Sequence, residues 1–156
     1  DAAKAFQTLM PLLKSDTRDK EALSLAGWAL AYQKKWKESA EMFDRATVID
    51  PDYAKIYHAL GELQSLQKDF DNAAAFYAKA LEKNPRHVNS AVEQAHILIK
   101  VKGELEEGEK VLEPAFGKNA KNLAATEKAK AHYLRAVVNQ RKHQNDTVVQ
   151  DMRTAI

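Results

Sequence analysis

Two stretches decide the fold: residues 20–51, KEALSLAGWALAYQKKWKESAEMFDRATVIDP, and residues 54–85, AKIYHALGELQSLQKDFDNAAAFYAKALEKNP. Slid over one another by 34 positions, they superpose Gly27 on Gly61, Trp36 on Phe70, Phe43 on Tyr77, Ala46 on Ala80 and Pro51 on Pro85. A fixed period of this length signals stacked units, none of which can bury its apolar face alone. Each unit divides into two helical segments. In the second, Ile56, Tyr57, Leu60, Leu63 and Leu66 fall on one side of a helical period; beyond Lys68-Asp69 the period resumes with Phe70, Ala73, Ala74, Tyr77, Ala80 and Leu81. Gly27 or Gly61 in the first segment, with Ala73 and Ala80 in the second, allows two helices to approach closely. Asp50-Pro51 and Asn84-Pro85 then end the second segment, because the residue before a proline is pushed out of the helical region.

Carried backward, the period puts Leu12 on Ala46, Leu9 on Phe43 and Thr17 on Pro51, so Ala2 to Lys14 reads as the second helix of an earlier, incomplete unit. Carried forward it needs a shift of one residue, after which Leu105, Leu112 and Ala115 answer Phe70, Tyr77 and Ala80. Pro114 in that third unit removes a backbone donor and should kink its second helix. A fourth unit can be fitted with Ala136 in the glycine's place, Met152 in the aromatic's and Ala155 in the last alanine's. The expected organisation is one solenoid over 1–156: an incomplete repeat in 1–17, repeats at 20–53 and 54–87, a degenerate one at 88–122 and a weak one at 123–156.

Composition agrees with an all-helical chain, since only 5 glycines and 4 prolines interrupt residues of good helix propensity. Without cysteine there is no disulfide framework, thiolate site or thiol nucleophile. Basic and acidic side chains, 24 against 22, are mixed along the chain, so no single-sign field gathers nucleic acid or lipid headgroups. No apolar run approaches the roughly 18 residues of a membrane span, and Asp1 to Phe6 lack the basic start of a signal peptide. The expectation is a soluble chain, cytoplasmic with the periplasm as the alternative, and its ragged ends suggest a portion of a longer protein.

These residues resemble the tetratricopeptide repeat. The second unit matches with Tyr57, Leu60, Gly61, Gln64, Ala73, Tyr77, Ala80 and Pro85; the first with Leu23, Ala26, Gly27, Leu30, Ser39, Phe43, Ala46 and Pro51. The resemblance implies an all-α fold, a right-handed superhelix of antiparallel helical hairpins, whose concave groove is lined by first helices and holds a peptide segment or partner domain. First-helix positions that the family does not use for internal packing should face that groove: Glu21, Ser24, Trp28, Ala31 and Tyr32, then Lys55, His58, Glu62 and Ser65. The equivalent places are Asn89, Val92, His96 and Lys100 in the third unit, and Tyr133, Val137 and Arg141 in the fourth. The candidate partner-binding residues are therefore Trp28, Tyr32, Lys55, His58, Glu62, Asn89, His96, Lys100, Tyr133 and Arg141, with Trp28 and Tyr32 as aromatic anchors. Trp28 could instead be buried against the preceding half-unit.

Other chemistries find little support. His58, His96 and His132 approach first-helix faces, but no two of them stand three or four residues apart and no carboxylate accompanies them in a known ligand pattern, so no metal or other cofactor is expected. Glu104, Glu106, Glu107 and Glu109 begin a helix, where carboxylates favour the positive end of the dipole; no catalytic set surrounds them, and the chain reads as a non-enzyme. Chaperone-tail binders of the family grip a C-terminal carboxylate with Lys, Asn and Arg, whereas Ser24, Trp28, Asn89 and Glu93 occupy the corresponding places here. Such tails are not expected partners. Ser24, His58 and Val92, at one place per unit, supply no nucleic-acid code. Homo-oligomerisation through exposed terminal helices is the alternative to partner binding.

Overall fold

The computed structural model describes residues 17–116, 120, 121 and 123–154, with side chains as far as Asn145, together with Lys4, Gln7, Thr8 and Pro11. The expected opening helix over Ala2 to Lys14 otherwise lies outside the described residues, as do the side chains of Met152 and Ala155. All regular structure among the described residues is helical, in antiparallel hairpins. The chain divides into two compact units, Asp1–His87 and Val88–Ile156, each with an apolar core of its own.

The N-terminal unit holds two hairpins, α1 (Lys20–Tyr32) with α2 (Trp36–Ile49) and α3 (Ala54–Leu66) with α4 (Phe70–Lys83). Asp19 and Asp69 cap α1 and α4, accepting from the backbone N–H of Ala22 at 2.9 Å and of Asn72 at 3.2 Å. The turn inside each hairpin is the same. Lys34 (φ 60°) and Lys68 (φ 63°) are left-handed, and the next N–H reaches back five residues, Lys35 to the Leu30 carbonyl and Asp69 to that of Gln64. Asp50 and Asn84 leave the helix in extended conformation before their prolines, and their side chains accept from the N–H of Asp52 and Arg86.

Glycine and ring interlock inside each hairpin. A Cβ on Gly27 would stand 2.8 Å from the Phe43 ring, and one on Gly61 2.5 Å from the Tyr77 ring, so the bare backbone of the first helix is what seats the aromatic of the second. Burying such a ring contributes about 1.5–3 kcal/mol. Ser39, standing where the next repeat has Ala73, is fully buried and donates to the Gly27 carbonyl at 2.8 Å. Lys20 pairs with Asp50 across the open end of the first hairpin, and the second hairpin holds the connecting loop through Lys83 to Asp52 at 2.8 Å and through the Tyr57 hydroxyl, which donates to the Pro51 carbonyl at 2.9 Å.

In the C-terminal unit, α5 (Val88–His96) runs on into a π-helical segment, Ile97–Lys102, that ends at left-handed Gly103 (φ 76°). Gly103 occupies the turn position of Lys34 and Lys68, one residue late, so the shift in the repeat period falls between Ala95 and Gly103 and the wider π turn absorbs it. The second helix, α6 (Leu105–Leu112), tightens into a 3₁₀ turn over Glu113–Phe116; Pro114 ends the α-helical ladder there, more than the kink the sequence predicts. The last element, α7, is one continuous helix over Ala125–Thr154, and the hairpin turn expected near its middle is absent. No glycine or proline follows Gly117, so nothing local interrupts it.

Candidate partner-binding faces

Starting residues of the two first helices of the N-terminal unit build a cleft. Glu21, Ser24, Leu25 and Trp28 recur every turn along α1, and Tyr53, Lys55 and Ala59 enter or line α3; together they enclose about 290 Å³. Trp28 is half-buried, with its ring edge-on to Phe43 at 5.7 Å between centroids and tilted against Tyr32 at 6.3 Å. It thus packs within its own hairpin and still lines the cleft. Tyr32 is 76% exposed. Lys55 is exposed, and its ammonium stands 5.9 Å from the centre of the Tyr53 ring, whose other visitor, Lys20, is at 4.3 Å.

One turn along α3, His58 lies among aromatic groups, 5.5 Å from Tyr77 and 5.0 Å from His87 between ring centres, and its Nε2 is 3.6 Å from a Glu62 oxygen. Burial, and then the positive charge of Lys55, lower the pKa of His87. The structure therefore brings Trp28 beside Tyr32, His58 beside Glu62, and Lys55 into the cleft with Trp28. Three lining residues were missed in the sequence: Leu25, Tyr53 and Ala59. Leu25 is 58% exposed, although its counterpart one period later, Ala59, is buried. Leu66, counted with the packing residues in the sequence, is 56% exposed; its place one period after Tyr32 was the available signal. Ala31, in turn, is buried in the core instead of facing a groove.

The C-terminal unit uses its predicted residues differently. Lys100 donates to the Tyr133 hydroxyl at 3.0 Å, its ammonium 5.3 Å from that ring's centre. Arg141 donates to the Ile99 carbonyl at 3.2 Å, a group inside the π-helical segment. Glu93 holds Lys130 with both oxygens at 2.6 Å, and its charge is matched within the unit. His96 is half-buried, its pKa lowered by burial and by Lys130, while Glu127 is raised by burial and by Glu93. Asn89 is exposed. Val92, placed at a groove position by the repeat, is fully buried, and Val137 packs on the same core. Among the described residues no three His, Asp or Glu side chains converge to hold a metal, and no helix is long and apolar enough to cross a membrane.

Residues 54–87, the α3–α4 hairpin with its closing loop, match the family model described as tetratricopeptide repeat. The α3–α4 hairpin is a tetratricopeptide repeat. Its fold is shared with solved structures. A type III secretion complex from Aeromonas hydrophila aligns at a TM-score of 0.70 with 24% identity, over 91% of this chain and 97% of that one. The yeast Sti1 TPR2B domain, solved in complex with pHsp70, aligns at 0.67 with 22% identity, over 78% and 97%. The Yersinia enterocolitica secretion chaperone SycD, solved with a peptide of the translocator YopD, aligns at 0.67 with 17% identity, over 85% and 98%. At such identities the likeness is one of fold. No curated protein matches the sequence.

Proposed function

We propose that the chain is a protein–protein interaction scaffold that holds a peptide segment or partner domain on the first-helix face of its repeats. The observation that carries this reading is the cleft between α1 and α3, where Leu25 and Trp28 present apolar surface to solvent beside exposed Tyr32. Repeat proteins of this architecture expose an extended first-helix surface, and the structures of similar fold from yeast and Yersinia were solved with protein or peptide partners. The reading is of a binding module without catalysis. A chaperone-tail carboxylate is not the proposed ligand, because Ser24 and Trp28 offer it no cation and the acidic Glu93 already engages Lys130.

The test is capture of partners from the source extract by the full chain and by a Leu25→Ser, Tyr32→Ser, Leu66→Ser variant. All three side chains are exposed, so helicity and melting temperature should match the parent. Loss of a specific partner with the fold intact supports the reading. Retention of every partner removes this face from consideration, and a mass that rises with concentration would point to self-association instead.

A further inference from the structure

The cleft of the N-terminal unit is polarised. Glu21 and Lys55 are the second residues of α1 and α3, one period apart, and both line it. They carry opposite charges, and neither forms an ion pair among the described residues. The neighbouring cation, Lys20, is taken by Asp50, and the Lys55 ammonium stands 5.9 Å from the centre of the Tyr53 ring. Between these two charges the walls are Leu25, Trp28, Ala59 and the Tyr53 ring. Its volume of about 290 Å³ sits at the lower edge of the roughly 300–1,000 Å³ of small-molecule sites, which suits one or two side chains better than a cofactor.

Resting on the reading of the first-helix face as the partner-binding surface, we propose that this cleft takes a peptide segment with a central aliphatic or aromatic side chain, a carboxylate on one flank and a basic side chain on the other. The apolar side chain fills the space over Leu25, Trp28 and Ala59. Its acidic neighbour pairs with Lys55 and its basic neighbour with Glu21, so the two rim charges set the direction in which the segment lies. A ligand with like charges on both flanks would leave one rim group facing its own sign.

The test is a peptide array with a central Leu, Phe or Ser and Lys, Glu or Ser on either flank, probed with the full chain and with a Glu21→Lys, Lys55→Glu exchange. Both sites are exposed, so the exchange should fold like the parent. Leu- and Phe-centred peptides should bind and Ser-centred ones should not. One order of opposite flanks should bind about two- to fivefold better than neutral flanks, the range expected of exposed charge pairs. The exchange should reverse the favoured order, and added salt should erase the flank preference while leaving the apolar one. Equal binding whatever the flanks, or an unchanged order in the exchange variant, overturns the inference and leaves the first-helix reading standing. Ser-centred peptides binding as well as Leu-centred ones, or no binding at all, overturns both. A mass that rises with concentration and falls back in a Leu25→Glu variant would assign the cleft to a second copy of the chain and also overturn it.

Discussion

In Asp1–His87 the glycine of each hairpin lies in the first helix and the bulky ring in the second, whereas in Val88–Ile156 Gly108 lies in the second helix and its bulky neighbour, Ile99, in the first. A Cβ on Gly108 would stand 2.4 Å from Ile99, as tight as the contacts of Gly27 and Gly61 with their rings. Close approach of two helices needs one bare backbone at the crossing, and either helix can supply it. The units also differ in their first-helix faces. The N-terminal one presents Leu25, Trp28 and Tyr32 around a cleft with unpaired rim charges; the C-terminal one ties Lys100 to Tyr133, Arg141 to a backbone carbonyl and Glu93 to Lys130. One repeat architecture thus carries a first-helix face with an apolar cleft and one on which Lys100, Glu93 and Arg141 are engaged within the unit.

The largest effect should come from emptying the interlock. Tyr77→Ala is expected to cost about 3–5 kcal/mol and Leu112→Ala, at the same register in the C-terminal unit, about 2–5 kcal/mol, both read from urea unfolding. A loss below about 1 kcal/mol at Tyr77 would mean that the ring does not organise its hairpin. Next, Gly61→Ala and Gly108→Ala should each cost about 1–3 kcal/mol by overpacking. Each penalty should shrink when the facing side chain is trimmed, in Tyr77→Leu and Ile99→Ala backgrounds respectively. An undiminished penalty in either double variant would break the exchanged-partner comparison.

Smaller effects should come from the turns. Lys68 holds the left-handed position that Gly103 holds in the other unit, so Lys68→Gly should stabilise and Gly103→Lys destabilise, each by about 0.5–1 kcal/mol. Identical melting temperatures for parent and variants would show that the turn conformation carries no strain. The smallest effect is pH dependence. His87 in one unit and His96 in the other both have pKa values lowered from 6.5, chiefly by burial. The unfolded chain therefore takes up these protons first. Stability is fully present above 6.5 and falls as pH drops through the lower folded values. Melts between about pH 7.5 and about pH 5 should show this decline, flattened in His87→Gln and His96→Gln. A decline untouched by either substitution would assign it to other groups.

The 34-residue period, the Asp-Pro and Asn-Pro stops and the close-approach glycines Gly27 and Gly61 were legible in the sequence, because each is a local constraint repeated twice; that each glycine seats the ring of Phe43 or Tyr77, where the sequence pointed to Ala73 and Ala80, was not. The groove positions were legible in part. Trp28 and Lys55 do line the cleft, but Ala31 and Val92 sit in cores and Leu25 and Tyr53 were overlooked. A consensus position is packed only when a neighbour covers it, and Leu25 and Ala59 occupy the same position with opposite exposure. The one-residue shift was visible in the sequence, though its form, a π turn whose Ile99 carbonyl accepts from Arg141, was not.

Amphipathic spacing and breakers by themselves determined which segments are helical and where the first two hairpins turn. Tertiary packing decided that Gly108 takes over the role of a first-helix glycine, and which side chains on the first-helix faces remain exposed. The physical reason is that helix formation answers to neighbours three and four residues away, whereas exposure and pairing answer to whatever the next helix brings against a side chain.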